Sequence, residues 1–152
     1  MTRVPFAATF VGVAGLLPFL YGVGLLLAPE GMLPGFGLVA AAPEGGLRML
    51  ESFGAVILGF MGGCLWGFAS APGRTPALVL LVLASVPAFI AFVALLPEPA
   101  ISCVWLAFGF ALLQGIDLIF HNRGLVPDYW LSLRLPLTGV VIACLLVGAL
   151  RG

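Results

Sequence analysis

Long apolar stretches, interrupted by short polar or proline-rich breaks, set the pattern of this chain. The stretch around which the rest is arranged runs from Ser52 to Ser70, SFGAVILGFMGGCLWGFAS, without a charge. As a helix it extends about 29 Å at about 1.5 Å per residue, enough to cross the hydrocarbon core of a bilayer. Comparable stretches predict spans over 6–28, 76–96, 100–120 and 135–150. The predicted fold is therefore all-α, a single integral-membrane bundle of five transmembrane helices. Within 52–70, Ala55, Gly59, Gly63 and Gly67 recur at a step of four and share one helix face. Interior glycine costs a helix in water about 1 kcal/mol. In lipid a spanning segment stays helical, and small residues let a second helix approach closely. This face is the predicted helix-packing spine, with lesser stripes at Ala107, Ala111 and Gly115 and at Gly139 and Ala143.

The breaks between spans refine the picture. Pro18 predicts a kink in the first span. The connection 29–50 carries Pro29, Pro34 and Pro43, and its apolar core from Phe36 to Ala42 is too short to cross, so an interfacial or re-entrant course is expected. Arg48 and Glu51 are spaced i,i+3 and predict an ion pair at the start of the second span. Thr75 is a natural N-cap before Pro76. Pro97-Glu98-Pro99 is so short a link that the spans on either side must be antiparallel neighbours. The connection 121–134, HNRGLVPDYWLSLR, holds the chain's one histidine and an adjacent Tyr129-Trp130 pair suited to the headgroup level. Trp66 and Trp105 read as belt residues. Arg134 and Arg151 flank a short fifth span and are expected to snorkel from its ends.

Five spans place the termini on opposite sides. The first side collects Arg3, Arg74, Arg123 and Arg134, the second Arg48 and Arg151, which favours the N-terminus inside.

Composition changes the solvent, not the architecture. Of 152 residues, 62% are hydrophobic and 8% charged, and mean hydropathy is +1.26. Soluble proteins run at roughly 45–50% apolar and about 25% charged. So few charges cannot cover a water-facing surface, and lipid is the implied surroundings. All six basic residues are arginines, balanced by six carboxylates, so no basic patch points to nucleic acid. Cys64, Cys103 and Cys144 lie singly in apolar runs, with no metal or redox spacing, and read as packing residues. The first apolar run is too long for a signal-peptide core and predicts an uncleaved span.

Few residues offer chemistry. Asp117 lies about one turn inside the end of the fourth span, and a carboxylate there needs a partner inside the bundle. Gln114, Asp117 and His121 share a face at i, i+3 and i+7, and Arg134, His121 and Arg123 are the candidate partners. Either a structural ion pair or a proton or ligand site fits this pattern. Glu51 reads as an interfacial residue paired to Arg48 or stabilising the helix start. Catalytic templates are missing: no HExxH, GxSxG or phosphate loop occurs, and one histidine cannot supply paired haem ligands. No metal, cofactor or catalytic residue is predicted. The expected role is a non-catalytic accessory or assembly subunit packing against other membrane subunits. The alternatives are a small homo-oligomeric transporter or proton-coupled carrier using Asp117, and a quinone or lipid site using Trp66 and Tyr129.

Three stretches carry a family resemblance: Gly15-Leu16-Leu17-Pro18-Phe19; the run from Gly54 to Gly67; and Gly124, Pro127, Tyr129, Trp130, Leu133, Arg134, Leu137 and Thr138, with Asp117 before them. Together they resemble the small multi-pass membrane family that includes transmembrane protein 69, a domain of unknown function. Members usually read Trp-Tyr where this chain has Tyr129-Trp130, and serine where it has Gly59. The resemblance implies an inner-membrane protein, bacterial or mitochondrial, and implies no reaction.

Overall fold

The computed structural model describes residues 4–29, 31–71 and 77–152, and all their regular elements are α-helices. Helices α1 (Phe6–Ala14) and α2 (Leu17–Leu27) form one broken rod, followed by α3 (Pro43–Ala69), α4 (Leu78–Ala94), α5 (Pro99–Asn122) and α6 (Trp130–Arg151). The rods Phe6–Leu27, Pro43–Ala69, Pro99–Asn122 and Trp130–Arg151 are each long and apolar enough to cross a membrane. Helix α4 is apolar but has 17 residues, about 26 Å of rise. The chain is a helical membrane bundle. Arg3, Arg74, Thr75 and Pro76 lie outside the described residues.

Sequence explains the helix limits. Pro18 has no N–H for the Ala14 carbonyl, and the first rod breaks at Gly15-Leu16, just ahead of the ring. Pro43 and Pro99 open α3 and α5 where no intrahelical N–H is needed. Helix α3 thus starts earlier than residue 52, and the connection before it shortens to 28–42. That connection folds back on α2, where the Tyr21 hydroxyl donates to the Pro34 carbonyl, and it closes on itself where the Gly31 amide donates to the Ala41 carbonyl at 3.1 Å. Helix α6 likewise begins at Trp130, so Arg134 lies inside the helix and not at its end.

The five passages alternate in direction. The start of α3 meets the start of α5 and the C-terminus, where Leu47, Ala100 and Gly152 are neighbours. At the opposite, amino-terminal end, Phe68 of α3 stacks edge-on against Trp130 of α6, with 5.0 Å between ring centroids. Helix α3 is central and touches α2, α4, α5 and α6. Its buried face runs Leu50, Gly54, Leu58, Gly62 and Leu65 against Leu106, Phe110, Leu113 and Leu145, with the Phe19 ring edge-on to Phe53 and Phe110.

Close backbone approach does hold these helices, but at other glycines than the step-of-four stripe predicts. A Cβ at Gly46 would lie 2.5 Å from the Gly22 carbonyl, and one at Gly62 would lie 2.7 Å from the Ala84 carbonyl, beside the Pro87 ring. In lipid such van der Waals contact is a main source of helix association. Of the predicted spine only Ala55 is buried. A Cβ at Gly59, Gly63 or Gly67 would meet no described residue within 4 Å. The lesser stripes behave alike: Ala107 is buried, whereas Ala111, Gly115, Gly139 and Ala143 face outward. Within one chain, then, the inward face of α3 is the neighbouring row, Gly54–Leu58–Gly62.

Candidate functional site

The polar residues of the bundle gather at its two ends. At the amino-terminal end, α5 finishes in a turn that aims α6 back at it. The Leu125 amide reaches the Phe120 carbonyl at 3.0 Å and the Gly124 amide reaches His121 at 2.9 Å, while Gly124 takes φ +63. This is a Schellman closure, in which glycine adopts the left-handed conformation without a Cβ penalty. The chain then starts α6 within a few residues, and Trp130 and Arg134, one turn apart, face Asp117.

Asp117 is fully buried, and each of its carboxylate oxygens takes a donor. The Trp130 indole donates Nε1–H to Oδ1 at 2.7 Å, and Arg134 donates Nε–H to Oδ2 at 3.2 Å. Arg134 is itself 5% exposed, so the expectation that it snorkels outward does not hold: it is turned into the bundle. Breaking such a pair by removing one partner costs about 3–5 kcal/mol, because a charge is left buried alone. Phe68 braces the indole from α3. Gln114 sits one turn deeper on α5, with neither end of its amide bonded among the described residues. His121 is half-buried one turn the other way and forms no described hydrogen bond to the carboxylate; Arg123 is exposed. Sequence reasoning placed Trp130 at the headgroups and missed it as a donor. Its i,i+4 spacing to Arg134 was the available signal.

At the carboxyl-terminal end, Glu51 is 8% exposed and accepts the Ser102 hydroxyl of α5 at 2.9 Å. The predicted Arg48–Glu51 pair does not form among the described residues. On the one continuous helix α3, Glu51 faces inward while Arg48, three residues earlier, is exposed at the rim. Ser102, which sequence reasoning missed, is completely buried. Tyr129 is half-buried, and Trp66 is 46% exposed on the outside of α3.

Between the two ends α5 turns only Cys103, Leu106, Ala107, Gly109, Phe110, Leu113 and then Gln114 inward. From Ser102 to Gln114 is about 18 Å of helix without a polar side chain on the inner face. Among the described residues, no group of three His, Cys, Asp or Glu is placed to hold a metal.

On the outside of the bundle, Gly59, Gly62, Gly63 and Trp66 of α3 form an apolar groove with Ala84, Ala88 and Phe89 of α4, with a volume of about 460 Å³.

The chain matches the family described as Protein of unknown function (DUF3429) over residues 4–150. It is 32% identical over 152 residues to Transmembrane protein 69 of Xenopus tropicalis, a match covering 96% of this chain and 54% of that protein. It therefore spans about half the length of that relative. No solved structure matches.

Proposed function

The chain belongs to the DUF3429 family, and from that premise we propose a non-catalytic integral membrane protein, an accessory or assembly subunit that packs against a larger membrane complex. The observation that carries this reading is the outward row Gly59, Gly63 and Gly67. The chain's own helices use Gly22, Gly46, Gly54 and Gly62 for close approach and leave this second row uncovered by any described residue. Glycine in a spanning helix gains stability chiefly where another backbone comes near. The row borders the α3–α4 groove, whose lining is mainly apolar with Ser85 among it, as suits a helix of another subunit within lipid. The buried polar residues support the same reading, because Trp130 and Arg134 both donate to Asp117 and pin α6 to α5. The resemblance to inner-membrane proteins supports a bacterial cytoplasmic membrane, with the mitochondrial inner membrane as the alternative, and the balance of arginines between the two sides supports the N-terminus inside.

The test is native-membrane purification in mild detergent, comparing wild type with Gly63→Leu. Wild type is expected to travel with other subunits, and the variant to stay folded but travel alone. A monodisperse wild-type monomer with nothing bound removes this reading.

A second reading, a small homo-oligomeric transporter or proton-coupled carrier, is favoured by the unpartnered polar atoms of Gln114 and Arg134 beside Asp117. The apolar inner face of α5 counts against it. It requires that Asp117→Asn abolish a measurable flux in proteoliposomes while leaving the fold intact.

A further inference from the structure

The polar cluster at the amino-terminal end has more hydrogen-bonding groups than the chain supplies partners for. Gln114 Nε2 and Oε1, Arg134 Nη2 and Thr138 Oγ1 are all buried and unpartnered among the described residues. Thr138 is 3% exposed and Arg134 5%. Their register groups them. Gln114 precedes Asp117 by three residues on α5, Thr138 follows Arg134 by four on the antiparallel α6, and the Asp117–Arg134 bond ties the two helices. Gln114 and Thr138 therefore stand at one level, about a turn deeper than the ion pair, on the two helices that the pair joins.

We propose that Gln114, Arg134 and Thr138 form an internal binding site for ordered water between α5 and α6. The chemistry of the free groups selects the occupant. The charges of Asp117 and Arg134 cancel, so no net charge draws in an ion. Arg134 Nη2 and Gln114 Nε2 present donors, whereas Gln114 Oε1 accepts and the Thr138 hydroxyl does both. The occupant must donate and accept and be uncharged. It must also be small, because Phe110, Leu113, Val141 and Leu145 are buried in the next turns of the same helices. Water meets every condition, and a buried water typically makes about three such bonds. A buried polar group without a partner is costly, and several together weigh heavily against the small net stability of any fold. The site is a dead end: it lies about two turns below the amino-terminal end of the bundle, and the apolar inner face of α5 closes it from the other side. Hydration also keeps the Asp117–Arg134 bond in a local medium of higher dielectric than the core below it.

Radiolytic hydroxyl labelling of the full chain in lipid nanodiscs tests this, since labelling needs water beside the side chain. The reporter is Phe110, almost completely buried and one turn from Gln114 on the same helix. In wild type and in the conservative variant Thr138→Ser, Phe110 is expected to label at the same rate. In Gln114→Leu/Thr138→Val its rate is expected to fall several-fold, while Trp66 and Trp105 on the outside stay unchanged. Absence of Phe110 labelling in wild type, or an unchanged rate in the double variant, overturns the proposal. If the double variant does not give a monodisperse protein, the single variant Thr138→Val is read by the same criterion.

Discussion

Asp117 and Arg134 are 17 positions apart in the chain and 3.2 Å apart in space. The arginine reaches the carboxylate through Nε, leaving Trp130 to occupy the other oxygen from one turn earlier on the same helix. Two donors on α6 thus grip one acceptor on α5, which fixes both the separation and the rotation of the two helices. A bond to arginine alone would constrain the separation only.

Asp117→Ala should destabilise the bundle by about 3–5 kcal/mol, because the Arg134 guanidinium would be left buried without its counter-charge. Adding Arg134→Met should recover much of that loss. Unfolding by sodium dodecyl sulfate in mixed micelles measures both. Simple addition of the two single losses would show that the residues do not act as a pair.

Gly62 and Gly63 separate the two glycine rows within a single step of the chain. Gly62→Ala sets a methyl group 2.7 Å from the Ala84 carbonyl, where backbone must yield, so a loss of about 1–3 kcal/mol is expected. Gly63→Ala meets no described atom within 4 Å and should change bundle stability by less than about 0.5 kcal/mol. The same unfolding titration, run on the isolated chain, distinguishes them. Equal effects would mean that α3 is rotated relative to the arrangement described.

That one-residue difference also marks where sequence reasoning stops. The existence of five passages, the break ahead of Pro18 and the need of Asp117 for a partner all follow from costs that hold anywhere in a bilayer: unpaired backbone, a missing N–H, a buried charge. Which face of α3 turns inward follows from no such cost. In water, polarity marks the outer face. In lipid both faces are apolar, and α3 carries glycine in two neighbouring rows, Gly54 and Gly62 either side of Leu58, and Gly59, Gly63 and Gly67 after Ala55. Only the shapes of the neighbours choose between them: the Ala84 carbonyl and Pro87 ring fit Gly62. The Glu51–Ser102 bond escaped for a related reason. Its two residues are 51 positions apart, and a lone serine in an apolar run gives no periodic signal.

Ser102→Ala should cost more than Ser85→Ala. The fully buried Ser102 hydroxyl lies 2.9 Å from the Glu51 carboxylate and 3.1 Å from the Glu98 carbonyl, and its one proton favours the nearer carboxylate, a hydrogen bond worth about 1.5–3 kcal/mol where the acceptor is charged. The Ser85 hydroxyl only returns to the Leu81 carbonyl of its own helix at 2.9 Å, which already has an intrahelical role. Its removal should cost under about 1 kcal/mol. Thermal unfolding in detergent compares the two, and equal losses would remove Glu51–Ser102 as a tie between α3 and α5.

Gly124→Ala tests whether the closing turn, and not the ion pair alone, sets the α5–α6 register. At φ +63 a Cβ costs about 1–2 kcal/mol, and asparagine, whose side chain tolerates this region, should cost less. The turn delivers Trp130 to Asp117, so strain there should act on the indole before it unfolds the bundle. Gly124→Ala should shift Trp130 fluorescence, read in a Trp66→Phe/Trp105→Phe background, towards a more water-exposed emission, while Gly124→Asn stays near wild type. If both variants leave the emission unchanged although stability falls, the pair holds its register without the turn. The grip of Trp130 and Arg134 on Asp117 would then suffice to align the helices.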